Sequence, residues 1–165
     1  SYMIAGYLSL GSNLGDRMRN LERAIAGIQG HGIVITRISD AYETRAAEVI
    51  DAQGPYLNVA VKIQCGMEPV RILEVCRQVE KSLGRERPYP HAPRTIDIDI
   101  LLLEGVEIVS DSLTIPHPRL EQRAFVIHPL AQIAPELILP SGRPIMEVKK
   151  ALGNDEILEI CPMPC

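Results

Sequence analysis

The segment Pro93-Arg94-Thr95-Ile96-Asp97-Ile98-Asp99-Ile100-Leu101-Leu102-Leu103 plants two carboxylates in what reads as a β-strand. Apolar and acidic residues alternate from Ile96 to Ile100. Period 2 sends Ile96, Ile98 and Ile100 to one face and Asp97 and Asp99 to the other. Two residues along a strand separate Cα atoms by roughly 6.6 Å. That is near enough for two carboxylates to share a pair of divalent cations, which lie about 3.5–4 Å apart in two-metal sites. Asp is disfavoured in strands, and like charges on one face repel. A compensating cation is expected, and Mg²⁺ held by oxygen ligands suits the pair. The alternative is an edge strand with a solvated acidic face. The unbroken run Leu101-Leu102-Leu103 favours a central, buried strand instead.

Basic residues surround this strand in sequence: Arg85, Arg87, Arg94, Arg119 and Arg123, in a chain of net charge −4. Leu83-Gly84-Arg85-Glu86-Arg87 ends a helix, so its arginines either favour the helix C-terminus or clamp phosphate with their planar forks. Ile115-Pro116-His117-Pro118-Arg119 and Arg123-Ala124-Phe125 add a proline-flanked His and more guanidinium, a set that favours an anion. Tyr56 and Asn58 share one face of a strand. They fit a flat heteroaromatic ring, by stacking and amide matching, or ordinary strand packing with a solvated Asn. Gly11-Ser12-Asn13-Leu14-Gly15 follows a strand and opens a helix. It lacks the Lys-Ser/Thr of a P-loop and the spacing of a dinucleotide fingerprint, and reads as a structural turn or as a ligand contact.

The elements that position these groups follow from periodicity. A strand runs over 4–10, and a helix after the turn carries Leu21, Ala24, Ile25 and Ile28 on one face. A second strand covers 33–42, a long loop 44–55, and a third strand 56–64. A second helix starts at Pro69 and stops at Gly84. Another loop, 85–94, leads into the acidic strand. Glu104-Gly105 signals a hairpin with a short returning strand over 106–109. Beyond Leu120, short helices and loops are punctuated by Pro129, Pro135, Pro140 and Pro144, with a last helix over 145–152. The order strand–helix–strand–strand–helix–strand predicts an α+β fold with a ferredoxin-like split βαβ core. An antiparallel sheet would carry two helices on one face. The C-terminal third would add to the edge or the other face, giving helices on both sides.

With 165 residues, the chain reads as one domain over 1–165, able to bury roughly 70% of its unfolded surface. The acidic balance argues against nonspecific nucleic-acid binding. One Phe, five Tyr and no Trp argue against a ferredoxin-like RNA-binding module, whose sheet face carries aromatics. No apolar stretch reaches the ~18 residues of a membrane span, and no signal peptide opens the chain. Cys65, Cys76, Cys161 and Cys165 have no zinc-type spacing. They read as reduced cytoplasmic thiols, with a Cys161–Cys165 disulfide as the lesser alternative.

Taken in order, these motifs resemble the 6-hydroxymethyl-7,8-dihydropterin pyrophosphokinase family. The likeness rests on the stretch from Tyr7 to Arg17, on Tyr56-Leu57-Asn58, and on Glu80 with Leu83 to Arg87. It continues through Pro93 to Asp99, Ile115 to Arg119, Arg123-Ala124-Phe125 and Pro129-Leu130. The resemblance implies pyrophosphate transfer from ATP to a pterin hydroxymethyl group, with two Mg²⁺ ions on Asp97 and Asp99. It implies a catalytic set of Arg85, Arg94, Asp97 and Asp99, with Asp97 as the candidate base. It implies ATP contacts from Glu80, Arg85, Arg87, Arg94, Ile100, Thr114, His117 and Arg123. It places the pterin against Gly11, Thr44, Tyr56, Asn58 and Phe125. Its partners are small molecules bound by a monomer, with no nucleic acid and no membrane. The chain departs from relatives at Arg45-Ala46-Ala47, where prolines are common, and at Pro90, His91 and Ala92. It also departs at Arg77, where some relatives have Gln.

Overall fold

The computed structural model describes residues 3–45, 54–84 and 95–164. Its centre is an antiparallel sheet in which β1 (Ile4–Ser12) and β4 (Tyr56–Cys65) are the inner strands. β5 (Asp97–Leu103) pairs with the outer side of β1. β2 (Val34–Ile38) and β3 (Ala41–Thr44) both pair with β4, and β8 (Ile157–Cys161) pairs with β3. The strand order is that of the expected ferredoxin-like core, extended by β8.

Alternation assigns the two faces. Leu8, Leu10, Leu57, Val59, Val61, Ile63, Ile98 and Ile100 form a dry core with α1 (Arg17–Gly30) and α2 (Pro69–Ser82). The two helices approach closely at Gly27, where a Cβ would lie 3.2 Å from both Val79 methyl groups. This contact justifies a glycine that costs a helix interior about 1 kcal/mol. On the opposite face, Tyr7, Ala60 and Leu101 are covered by α3 (Ala124–Ile133) and α4 (Ile145–Leu152). The helices therefore lie on both sides, as the sequence implied.

Four expectations need correction. β5 is an edge strand, not a central one. Its apolar run is buried on both faces, and its outer side is covered by the chain around His117, whose N–H donates to the Leu101 carbonyl at 2.8 Å. The strand expected over 33–42 is broken at Ser39–Asp40. There the Ser39 hydroxyl accepts from Ala60 N–H at 2.9 Å and so replaces a ladder bond. The strand expected to return along β5 shortens to β6 (Ile108–Val109) and pairs with β7 (Thr114–Ile115). Pro129, expected to break structure, lies inside α3. It gives up the N–H that would reach the Phe125 carbonyl, and α3 is held by burial on nearly all sides.

β8 had no counterpart in the sequence reading. The loop expected over 44–55 begins one residue later than supposed, since Thr44 closes β3, and its residues 46–53 lie outside the described residues. Cys65, Cys76 and Cys161 are free thiols, and Cys165 lies outside the described residues. Among the described residues, no helix is long and apolar enough to cross a membrane.

Candidate active site

The site forms where α3 stops covering its face of the sheet. β1 extends past the expected Leu10 through Gly11 and Ser12, and Gly11 is paired on one side with Asp97 and on the other with Asn58. Asn58 is in turn paired with Tyr42. One rung of the sheet thus reads Asp97–Gly11–Asn58–Tyr42. Ser9 pairs with Asp99 and Ala60 on the next same-face rung. Strands spaced ~4.8 Å apart put the Asp97 and Asn58 backbones roughly 10 Å from each other.

The residue between them has to be glycine. A Cβ on Gly11 would stand 2.9 Å from Asn58 Oδ1 and 3.4 Å from Tyr56 Cδ1. The turn that follows is structural. Buried Asn20 donates from Nδ2 to the Ser12 hydroxyl at 3.2 Å and to the Leu14 carbonyl at 2.8 Å. Asp16 caps α1 by accepting from Arg19 N–H at 3.2 Å. Of the two open readings of this motif, the turn is a local fold device, and Gly11 alone enters the cavity.

Gly11, Thr44, Tyr56, Asn58, Asp97, Asp99, Arg123 and Phe125 line one cavity of about 450 Å³. Asn58 is buried. Its amide nitrogen donates to Thr44 Oγ1 at 2.8 Å and to the Tyr42 carbonyl at 3.3 Å. The Thr44 side chain is therefore an internal partner of the amide, and Asn58 Oδ1 is the atom turned toward the Gly11 floor. At the mouth, the Arg123 guanidinium lies over the Phe125 ring, 5.5 Å from its centroid.

At the acidic end, burial first and the Asp97 charge second push the Asp99 carboxyl up to about 6, against the lowering pull of Arg77 and Arg123. Two carboxylates held this close would gain from a divalent cation. Among the described residues no three His, Cys, Asp or Glu side chains group into a closed metal cage. A pair of carboxylates whose remaining ligands come from phosphates and water is the donor set that Mg²⁺ accepts. Asp97 and Asp99 fit that ion.

His117 is near enough to feel the Asp97 charge but is not among the residues that line the cavity. Burial, then the charges of Arg123 and Arg119, lower its pKa, with Asp97 opposing. Its Nδ1 accepts from Arg119 N–H at 3.1 Å. The neutral ring therefore carries its proton on Nε2, available to an anion.

Three further residues expected at the nucleotide lie outside this cavity. Glu80 is buried behind β5. Its Oε2 accepts from Ile98 N–H at 2.8 Å, and its Oε1 from Arg77 at 2.8 Å. Arg77 also donates to the Ile98 carbonyl at 3.0 Å. Glu80 thus fastens the outer edge of the acidic strand to α2. Ile100 faces the α1–α2 core. Thr114 lies in β7, and neither it, Glu80 nor Ile100 lines the cavity. Arg85, Arg87 and Arg94 lie outside the described residues.

The cavity also includes Ser9, Arg45, Arg119, Gln122 and Glu156, which were not among the expected site residues. Ser9 could have been found, two positions before Gly11 on the same strand face. Arg119 stood in a basic motif already singled out. Glu156 arrives only because β8 adds to the sheet, its carbonyl accepting from Arg45 N–H at 3.3 Å. The open aromatic sheet face of an RNA-binding module is not formed by Tyr7 and Tyr42, which are both buried.

Residues 7–135 match the family described as 7,8-dihydro-6-hydroxymethylpterin-pyrophosphokinase (HPPK). The chain is 42% identical over 132 residues to the 2-amino-4-hydroxy-6-hydroxymethyldihydropteridine pyrophosphokinase of Bacillus subtilis, covering 79% of this chain and 78% of that one. It is 41% identical over 156 residues to the enzyme of the same name from Methylorubrum extorquens, covering 94% and 98%. The folic acid synthesis protein fol1 of Schizosaccharomyces pombe is 36% identical over 153 residues, covering 92% of this chain, which spans only 21% of that longer protein. Plasmodium falciparum HPPK-DHPS superimposes with a TM-score of 0.69 at 15% identity, over 91% of this chain and 41% of that one. At that identity the likeness is one of fold.

Proposed function

The chain belongs to the 7,8-dihydro-6-hydroxymethylpterin-pyrophosphokinase family, and from that premise we propose that it transfers pyrophosphate from ATP to 6-hydroxymethyl-7,8-dihydropterin. The products are the pterin diphosphate and AMP, a step of folate biosynthesis, carried out by residues 1–165 as one domain. The observation that supports the reading is the Asp97–Gly11–Asn58 rung, with Asp99 on the next same-face rung, which brings two carboxylates and a buried amide to one cavity. The new bond joins the acceptor hydroxymethyl oxygen to the β-phosphorus. The bond that breaks links that phosphorus to the oxygen kept by AMP.

At the neutral end, Tyr56 and Phe125 flank the pterin ring, and Asn58 Oδ1 with the Thr44 backbone reads its edge. Gly11 leaves room for the ring to lie flat on β1. At the charged end, Asp97 and Asp99 would hold two Mg²⁺ ions. Bound there, Mg²⁺ neutralises triphosphate charge and makes the acceptor hydroxyl easier to deprotonate. Asp97, on the rung shared with Gly11, is the carboxylate nearest the acceptor and our candidate to receive its proton. Arg123 would serve both ends, since its guanidinium lies over the Phe125 ring and its charge is felt by Asp99 and His117. His117 donates from Nε2 to a phosphate oxygen.

The reading is tested by incubating the protein with ATP, Mg²⁺ and hydroxymethyl-dihydropterin and separating the nucleotides. AMP appearing in step with the pterin diphosphate is the expected outcome. ADP as the nucleotide product would refute it. Omitting Mg²⁺ in the presence of chelator should abolish turnover, and undiminished turnover would remove the metal from the proposal.

A further inference from the structure

Arg17 is the first residue of α1, where the positive end of the helix dipole disfavours a cation. Its guanidinium is partly buried and bridges two separate segments. Nη2 donates to Glu43 Oε2 at 2.6 Å, and Nη1 donates to the Pro55 carbonyl at 2.8 Å. Glu43 immediately precedes Thr44, and Pro55 immediately precedes Tyr56. Thr44 and Tyr56 face each other as the last pair of the β3–β4 ladder. One planar fork therefore ties together the two strand ends that carry the acceptor wall.

The tie is made from behind the sheet. Alternation turns Thr44, Tyr56 and Asn58 toward the cavity and turns Glu43 and Leu57 toward α1, where Leu57 joins the core. A second observation explains why a cation is needed there. The β3–β8 ladder sets Glu43 directly opposite Glu159, and like charges so placed repel. Arg17 supplies the opposite charge to Glu43. A partly exposed ion pair alone adds little stability. What the fork adds is geometry, two acceptors on two segments, which a Lys ammonium does not reproduce as a planar unit.

Resting on the pyrophosphokinase reading above, we propose that Arg17 is a positioning residue of the acceptor pocket. It fixes the spacing of Thr44 and Tyr56, so that the stacking wall and the Thr44–Asn58 hydrogen bond are set before the pterin arrives. Pre-set pockets bind more tightly because less ordering remains to be done on binding. The nucleotide end hangs on β5 and the His117 segment, which Arg17 does not touch, so its affinity is left alone.

The test is equilibrium binding, which does not depend on turnover. The affinity for 6-hydroxymethylpterin is read from its own fluorescence, and that for a non-hydrolysable ATP analogue by calorimetry with Mg²⁺. Both are measured on the wild type, Arg17→Ala, Arg17→Lys and Glu43→Gln, each with a melting curve. Arg17→Ala should raise the pterin Kd about tenfold and leave the nucleotide Kd within about twofold. Arg17→Lys should recover only part of the loss, and Glu43→Gln should weaken pterin binding by less than Arg17→Ala. Unchanged pterin affinity in a folded Arg17→Lys and a folded Glu43→Gln protein would overturn the proposal. So would equal weakening of both ligands. A wild type that binds pterin but forms no AMP would fail the functional reading and leave this binding test standing.

Discussion

The two ends of the cavity lie on one sheet, β5 at one end and β3 and β4 at the other, and are opposite in kind. At the β5 end, two carboxylates sit close together, with Arg77 and Arg123 offsetting only part of the rise in the Asp99 pKa. Asp99 is half-buried, its pKa is raised by loss of water, and the Asp97 charge adds to that rise. At the β4 end, the Asn58 amide nitrogen is already bonded to Thr44 and Tyr42, and among the described residues no charged group is buried beside it. In the proposed reading, one end would take ions and phosphates and the other a flat neutral ring. A site that joins two substrates needs both, because the charged end would bind its ligand with little regard to shape, whereas the neutral end selects by fit.

The largest expected effect separates the two ends. Asp97→Ala and Asp99→Ala should each cut turnover by about 10³-fold or more. Pterin binding measured without nucleotide should hold within about threefold, since the acceptor wall lies two strands away. Loss of pterin affinity to the same degree would merge the two ends. Gly11→Ala tests the opposite end. Its new methyl group would meet Asn58 Oδ1 at 2.9 Å, so the amide must move and the pterin KM should rise roughly 10- to 100-fold. The ATP KM should stay near wild type, and a matching rise in it would show that Gly11 serves both ligands.

The smallest effect concerns stability. The Asp99 pKa is raised from 3.8 to about 6 on folding, so the folded state binds that proton more tightly than the unfolded one. Its contribution to stability is present below pH 4 and is lost as pH rises through about 6. In the absence of divalent cations, Asp99→Asn should therefore stabilise the protein at pH 7.5 by on the order of 1–3 kcal/mol. The gain should vanish near pH 4. Denaturant melts at the two pH values read this directly, and a gain that persists at pH 4 would assign it to packing instead.

The same contrast explains what the sequence disclosed. Asp97 and Asp99 announce themselves because acids alternating with isoleucine are costly in a strand unless something uses them. Tyr56 and Asn58 were legible as a face because alternation is local. The edge position of β5 was not legible, because a strand covered by neighbouring chain has the same apolar pattern as a central one. That Glu80 fastens β5 to α2 was not legible, since nothing local marks a carboxylate that will bind backbone. β8 and Glu156 escaped because edge pairing leaves little periodicity: Leu158, Glu159 and Ile160 are all exposed. Pro129 misled because burial of α3 outweighed its helix-breaking tendency.

The central claim is that the rung Asp97–Gly11–Asn58 delivers the acceptor oxygen to the β-phosphorus. Parallel reactions with ATP labelled separately in the α- and β-phosphates test it most directly. The β-label should appear in the pterin product and the α-label should stay entirely in AMP. Retention of the β-label in the nucleotide, with only the γ-phosphate transferred, would contradict the account.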